Sequence, residues 1–336
     1  MVLGLSVLVI LAGVSIWIQL YREGYSLRSA YAAQDIFLCR LFEWFLGIWI
    51  FIVGSCIASF LNVVAYRVPA GLPVTGTSFC PFCRVPIRPS DNVPVLGWLF
   101  LGGRCRACKL SISPRYPIFE LIGGLLALSV FLSTVLSHGR NLPLGERSNL
   151  PYGMPVNLHY MDDRFLYIAG LHAYLLFLLY AAALTNFGGG RLPFRVWILG
   201  GFGILAAIAL RPDVFVADSI DHLVSLSDST RWRTLQTSMI GSLVAMGVAW
   251  VWRAKFDQIG WIAAWALVGL ALGWQAALAI GTITAVSLII KNRIFGRSDA
   301  DMPIRYLWLF TALFLIIWRP LANWIDVTLS LLPSIG

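Results

Sequence analysis

Histidine and acid are scarce in this chain, and charge of either sign is thin. Only four of the 336 residues are His, scattered at His138, His159, His172 and His222, a distribution that offers no pair at metal-ligand spacing and excludes a histidine-based metal centre. Charged residues make up 12% of the chain against 59% hydrophobic, so a soluble fold of this length has too little polar surface to cover its apolar side chains. No Asp or Glu lies between Arg164 and Arg195. The run Gly188-Gly189-Gly190 lacks the preceding strand and the Lys of a phosphate loop and reads as a flexible turn. The net charge of +9 does not point to nucleic acid, because Lys and Arg cluster in short links between apolar runs instead of along one face. That distribution belongs to membrane topology.

What the chain has in abundance is apolar runs. Residues 2–20 are long enough to cross a bilayer and, with no basic leader or cleavage signature beside them, read as a retained helix. Further spans are predicted at about Leu41–Val64, Ile118–Val135, Phe165–Leu184, Val196–Leu210, Ser238–Trp252, Ile259–Leu272, Trp274–Ile290 and Leu307–Leu321, about nine in all. Ile259–Leu272 is short at roughly 21 Å of helix, which implies local thinning or a water-filled cavity. Pro69 stops the Leu41–Val64 helix. No internal repeat is evident in the sequence.

The exception to this apolar pattern is Ala70–Pro117, which contains no run able to cross a bilayer. It carries Cys80-Pro-Phe-Cys83 and, twenty-one residues later, Cys105-Arg-Ala-Cys108. Two Cys-x-x-Cys knuckles at this separation put four thiolates within reach of one tetrahedral Zn²⁺. Paired disulfides are the alternative, and they need an oxidising compartment. Arg67, Arg84, Arg88, Arg104, Arg106, Lys109 and Arg115 make this the most basic stretch, which places it in the cytoplasm, where thiols stay reduced. Asp91-Asn92-Val93-Pro94 reads as a turn and Val95–Leu101 as a short strand. The predicted fold is an all-α polytopic membrane protein with a small zinc-knuckle cytoplasmic insertion. It divides into an extra span and link at 1–40, a first core span at 41–69, the zinc module at 70–117 and a membrane domain at 118–336.

Other residues invite a functional or a packing reading. Glu120 lies just inside a span, as a functional carboxylate or else as a partner of Arg115 or a carboxylate at headgroup level. Asn62 and Arg67 read as interhelical and interfacial polar groups. Cys56 and Cys39 read as buried thiols apart from the metal site.

The run Ala58-Ser-Phe-Leu-Asn62-Val-Val-Ala-Tyr-Arg67-Val-Pro69 resembles the end of the first core helix of the type IV prepilin peptidases. The sequence from Cys80 through Asp91-Asn-Val-Pro-Val-Leu-Gly-Trp98 and Gly103-Arg-Cys-Arg-Ala-Cys108 to Ile112-Ser-Pro-Arg-Tyr-Pro117 and Glu120 resembles their amino-terminal domain nearly position by position. The resemblance covers about residues 54–124. It implies an inner-membrane protein that acts on or binds prepilin or pseudopilin leaders of type IV pili or type II secretion, and in many members methylates the new amino terminus with S-adenosylmethionine. Its chemistry is that of an aspartic peptidase, in which two carboxylates share one proton, activate water and polarise the scissile carbonyl.

The family's two aspartates fall on other residue types here. Laying Leu192-Pro193 on the family's Leu-Pro-Asp turn puts Asn186 at the first catalytic position. Laying Leu272-Gly-Trp274 on its Leu-Gly-Trp run puts Gly260 on the last Gly of Gly-x-Gly-Asp and Trp261 at the second. Asp257, one helical turn before Trp261, is the available substitute, whereas Asp162 and Asp163 precede their helix and belong to the other membrane side. The alternative function is therefore a catalytically inactive homologue, a pseudoenzyme that serves as a binding or assembly factor for pilins or secretion proteins.

Overall fold

The structure is a computed structural model that describes residues 30–137, 139, 141–142, 163–212, 230–251, 258–295 and 305–318. The predicted span at 2–20, Asp162, Asp257 and the side chain of Cys39 lie outside the described residues. Helices supply all the regular structure among the described residues, joined by isolated bridges without strands.

The first helix, α1, runs Ala30–Arg67 and ends two residues before Pro69, whose ring cannot continue it. Its 38 residues reach about 57 Å, well beyond a bilayer core of about 30 Å, and its apolar window is Leu41–Arg67. A five-residue helix, α2 (Leu96–Phe100), occupies the stretch predicted as a strand. Its apolar residues are better explained by helical spacing: Leu96, Leu99 and Phe100 share one face, which period-two reasoning splits across two. Next, α3 (Arg115–Val130) passes into a π-helical turn, Phe131–Leu136.

α1 and α3 meet through small residues. Gly54 faces Ala127 and the Gly123 carbonyl, while Gly124 lies against Ser55 and Phe51. A side chain at any of these glycines would collide, so the helices approach to backbone contact, as small-residue spacing permits inside a membrane.

α4 (Asp163–Phe187) is central and has buried residues along most of its length. α5 (Phe194–Leu210) returns after a turn in which Gly189 has φ +75. At its far end Arg211 Nη1 donates to Asp163 Oδ2 at 2.9 Å. α6 (Thr230–Val251) packs on α7 (Gln258–Phe295), and α8 is the short apolar helix Arg305–Trp318.

α7 is two helices. Gly273 has φ 83 and ψ 176, outside the helical region. A methyl built on Gly281 would stand 3.7 Å from the Trp265 ring, although sixteen residues of straight helix would hold the two about 24 Å apart. The arms therefore fold back at Gly273, dividing the chain where the sequence separates Ile259–Leu272 from Trp274–Ile290. Against about nine predicted spans, the described residues carry five helices long and apolar enough to cross a membrane and two shorter apolar ones.

Candidate functional site: the cysteine cluster and the bundle end beside it

Each knuckle is a tight turn built the same way. In the first, Arg84 N–H donates to Cys80 O, Cys80 N–H to Val85 O and Ile87 N–H to Ser78 O. In the second, Lys109 N–H donates to Cys105 O, Cys105 N–H to Leu110 O and Ile112 N–H to Gly103 O, every partner shifted by 25 residues. Arg84 and Lys109 share left-handed φ values of 60 and 61, and the bridges Phe79–Pro86 and Arg104–Ser111 also correspond. The module thus holds a local repeat that the sequence reading missed, because outside the cysteines the paired residues differ in chemistry and agree in backbone shape.

The turns aim four sulfurs at one point. The Sγ atoms of Cys80, Cys83, Cys105 and Cys108 all lie within 4.8 Å of one another, and the Cys80–Cys108 separation is 3.9 Å. A tetrahedral ion with Zn–S bonds of about 2.3 Å would set its sulfurs about 3.8 Å apart. The cluster fits such an ion, and its cysteines are free thiols. The backbone N–H groups of Cys108 and Ala107 point at the Cys105 sulfur and lower its pKa to about 6. At Cys108 the Leu110 N–H favours the thiolate, but burial and the three neighbouring sulfurs outweigh it and push the group up to about 11. One electron-rich sulfur beside a protonated one is the arrangement that a cation resolves.

Around the cluster, Arg106 clamps Asp91 through two hydrogen bonds of 2.7 and 2.6 Å. Its guanidinium holds the Asp91 carboxyl below the usual carboxylate range. Trp98 lies over Gly103 and donates its indole N–H to Ile112 O at 3.0 Å. Arg67 does more than the interfacial reading gave it: Nη1 donates to Pro73 O and Thr75 O and Nη2 to Thr77 O, pinning the strandless run into the first knuckle. Glu120 pairs with neither Arg115 nor solvent alone. Its Oε2 accepts the Val95 N–H at 2.7 Å. Asn62 Nδ2 is buried with no hydrogen-bond partner among the described residues. Cys56, expected buried, is exposed on the outside of α1.

The module and the end of α4 share one end of the bundle. Gly190, in the turn after α4, packs against Pro69, and Phe187 stacks on Phe119 at 6.0 Å between centroids, next to Glu120. Here Asn186, 3% exposed, accepts the Arg305 Nε–H on Oδ1 at 2.6 Å, with the guanidinium over the Phe187 ring. Asp163 stands twenty-three residues away on the same helix, about 35 Å along its axis, at the opposite end.

Trp261 has no exposed surface; its indole N–H donates to Ala249 O at 3.1 Å and its ring meets Trp265 edge-on. Helix alternation returns the start of α7 to the Asn186 end, since Thr234 of α6 bonds Pro212 at the far end. An amide can donate and accept hydrogen bonds here, while a guanidinium and an indole can only donate, and none of them can share a proton as a carboxylate pair does.

Comparison with known proteins places the module. Residues 52–134 match the family model described as the bacterial Peptidase A24 N-terminal domain. The chain is 43% identical over 111 residues to a prepilin leader peptidase/N-methyltransferase of Klebsiella pneumoniae, covering 31% of this chain and 46% of that protein. It is 44% identical over 81 residues to one of Myxococcus xanthus, 24% of each chain, and 39% identical over 100 residues to one of Neisseria gonorrhoeae, 22% of this chain and 35% of that protein. The matched stretch thus spans less than half the length of each of these relatives. No solved structure matches. Residues 52–134 are thus similar to the bacterial Peptidase A24 N-terminal domain, the part that this membrane protein shares with these prepilin leader peptidases.

Proposed function

We propose that this chain recognises prepilin-like leaders at the cytoplasmic face of the inner membrane and holds them without cutting them. The observation that carries this reading is the Asn186–Arg305 contact: at the position where the family resemblance expects a proton-sharing Asp, an amide is engaged by a guanidinium. Trp261, packed without exposed surface, supports the same reading at the second position.

In this reading Zn²⁺ is structural, bound by Cys80, Cys83, Cys105 and Cys108, and supplies folding energy to a module with little core of its own. The basic module faces the cytoplasm, about nine spans cross the membrane, and the borders at 40, 69 and 117 separate the extra span, the first core span, the zinc module and the membrane domain. Methyl transfer from S-adenosylmethionine rests on family resemblance alone. The partners are prepilin-like leaders and pilus or secretion assembly proteins.

The test is to incubate the full chain in lipid nanodiscs with a prepilin-like peptide and measure binding and leader release together. Saturable binding without release is expected. Release abolished by Asp257→Ala would replace this reading with that of a peptidase using a displaced acid, and failure to bind any leader peptide would remove the substrate class.

A further inference from the structure

The module carries an apolar face that the cysteine cluster does not use. In α2, Gly97 and Trp98 turn inward, while Leu96, Leu99 and Phe100 are 47%, 56% and 82% exposed. These three occupy positions i, i+3 and i+4, so one helical turn presents them as a single ridge.

The height of that ridge is fixed by a bond. Val95, which opens α2, adopts φ 62 and ψ −54, a three-residue turn closed by Leu96 N–H to Pro94 O at 2.6 Å. This is the strained hand of the γ-turn and is unusual for a β-branched residue. The Val95 N–H is held by Glu120 Oε2 at 2.7 Å. Glu120 lies five residues into the apolar helix Arg115–Leu136, whose 22 residues make about 33 Å, close to a bilayer core of about 30 Å. The ridge is therefore tethered within about two turns of the point where α3 enters the membrane. On that same stretch Tyr116, Ile118 and Leu121 are exposed as well, so α3 is apolar on its outside where the tether attaches.

Charge selects the occupant. Arg84, Arg88, Arg104, Lys109 and Arg115 are all exposed, and the module's single acid, Asp91, is already clamped by Arg106. Arg104 and Arg115 both follow the ridge in sequence, and Trp98 of α2 donates to the Ile112 carbonyl between them. An apolar ridge on a module whose exposed charges are basic suits a surface of anionic headgroups over acyl chains, and such a module repels a basic peptide.

We propose that Leu96, Leu99 and Phe100 insert at the headgroup–acyl boundary of the bilayer that α3 crosses, with Arg104 and Arg115 on anionic headgroups, so that the cysteine module is laid on the membrane surface. This membrane contact is independent of leader binding.

The test uses the full chain in nanodiscs with the fluorescent residue acridonylalanine in place of Phe100, and separately in place of the exposed polar Ser90. Quenching is read with doxyl-labelled lipid and with aqueous iodide, in phosphatidylglycerol and in phosphatidylcholine discs. At position 100, doxyl quenching at least threefold above that at position 90 is expected, with weaker iodide quenching and a larger doxyl effect in phosphatidylglycerol. Iodide quenching at position 100 equal to that at position 90 would show a ridge standing in water and would overturn the insertion. Protection from both quenchers would show a ridge covered by protein and would overturn it as well. Equal doxyl quenching in the two lipids would overturn the headgroup role of Arg104 and Arg115.

Discussion

Arg305 donates its Nε–H to the side-chain oxygen of Asn186 at 2.6 Å, joining the start of α8 to the end of α4. Asn186 is buried, so the bond replaces water that the amide has lost. Removing the donor strands the acceptor. Arg305→Leu is expected to destabilise the protein by about 1–3 kcal/mol, read as a lower thermal transition in lipid nanodiscs. Asn186→Asp puts a carboxylate against the same guanidinium. It is expected to retain the α4–α8 contact and to leave leader release absent, because the second carboxylate is still missing; release from that single substitution would show that a partner acid exists elsewhere.

Trp261 tests the second position from the opposite direction. Its indole is enclosed by Trp265 and bonded to the Ala249 carbonyl, which makes it a packing residue of the α6–α7 contact. Trp261→Phe deletes the donor and part of the ring, and a loss of about 1–3 kcal/mol is expected. Trp261→Asp buries a charge with no cation shown beside it and is expected to cost several kcal/mol, enough to deplete folded protein. Recovery of folded Trp261→Asp at wild-type yield would mean that the pocket admits water, as a site for hydrolysis requires.

Gly273 separates the arms of α7 at φ 83 and ψ 176, a conformation in which a Cβ is strained. The bend is also supported by contact, because Gly241 of α6 lies against the backbone of Gly269 and Gly273. Gly273→Ala is expected to cost about 1–3 kcal/mol, and Gly241→Leu more, since its neighbours there are backbone atoms that have little freedom to yield. Thermal transitions of both variants in nanodiscs check this, with Gly247→Ala, where nothing lies within 4 Å of the added carbon, as the neutral comparison.

The helices and the sulfur cluster were legible because each rests on a local signal: apolar runs bounded by Pro and basic residues, and a fixed Cys-x-x-Cys geometry. The break at Leu272-Gly273-Trp274 was legible for the same reason, since a glycine between two apolar runs marks where the chain can turn. α2 was not. Five residues are too few for periodicity to separate helix from strand, and what starts the helix is a carboxylate twenty-five residues downstream, Glu120 on Val95. Arg67 shows the same limit: its position suggested an interfacial cation, whereas its partners are carbonyls of Pro73, Thr75 and Thr77 that no spacing rule pairs with it. Cys56 is exposed where burial was expected, because an apolar run does not separate the packed face of a helix from its open face.

The cysteine cluster yields a prediction in which metal and pH are linked. About one Zn²⁺ per chain is expected to copurify and to be lost in Cys80→Ser or Cys105→Ser, read by elemental analysis. After chelation, the thiols should differ in reactivity at pH 7. Cys105, drawn down to about 6 by the backbone N–H groups of Cys108 and Ala107, is then largely thiolate, while Cys108, near 11, is protonated. Iodoacetamide followed by peptide mapping should therefore label Cys105 before Cys108. Because the Cys105 pKa is depressed, its thiolate is present above pH 6 and lost as pH falls through that value. Labelling of Cys105 should decline over the same interval in which protons begin to displace bound metal. Equal labelling of the two at pH 7 would show that the second knuckle does not hold its N–H groups on the Cys105 sulfur once the ion is gone, and that the ion itself maintains the turn.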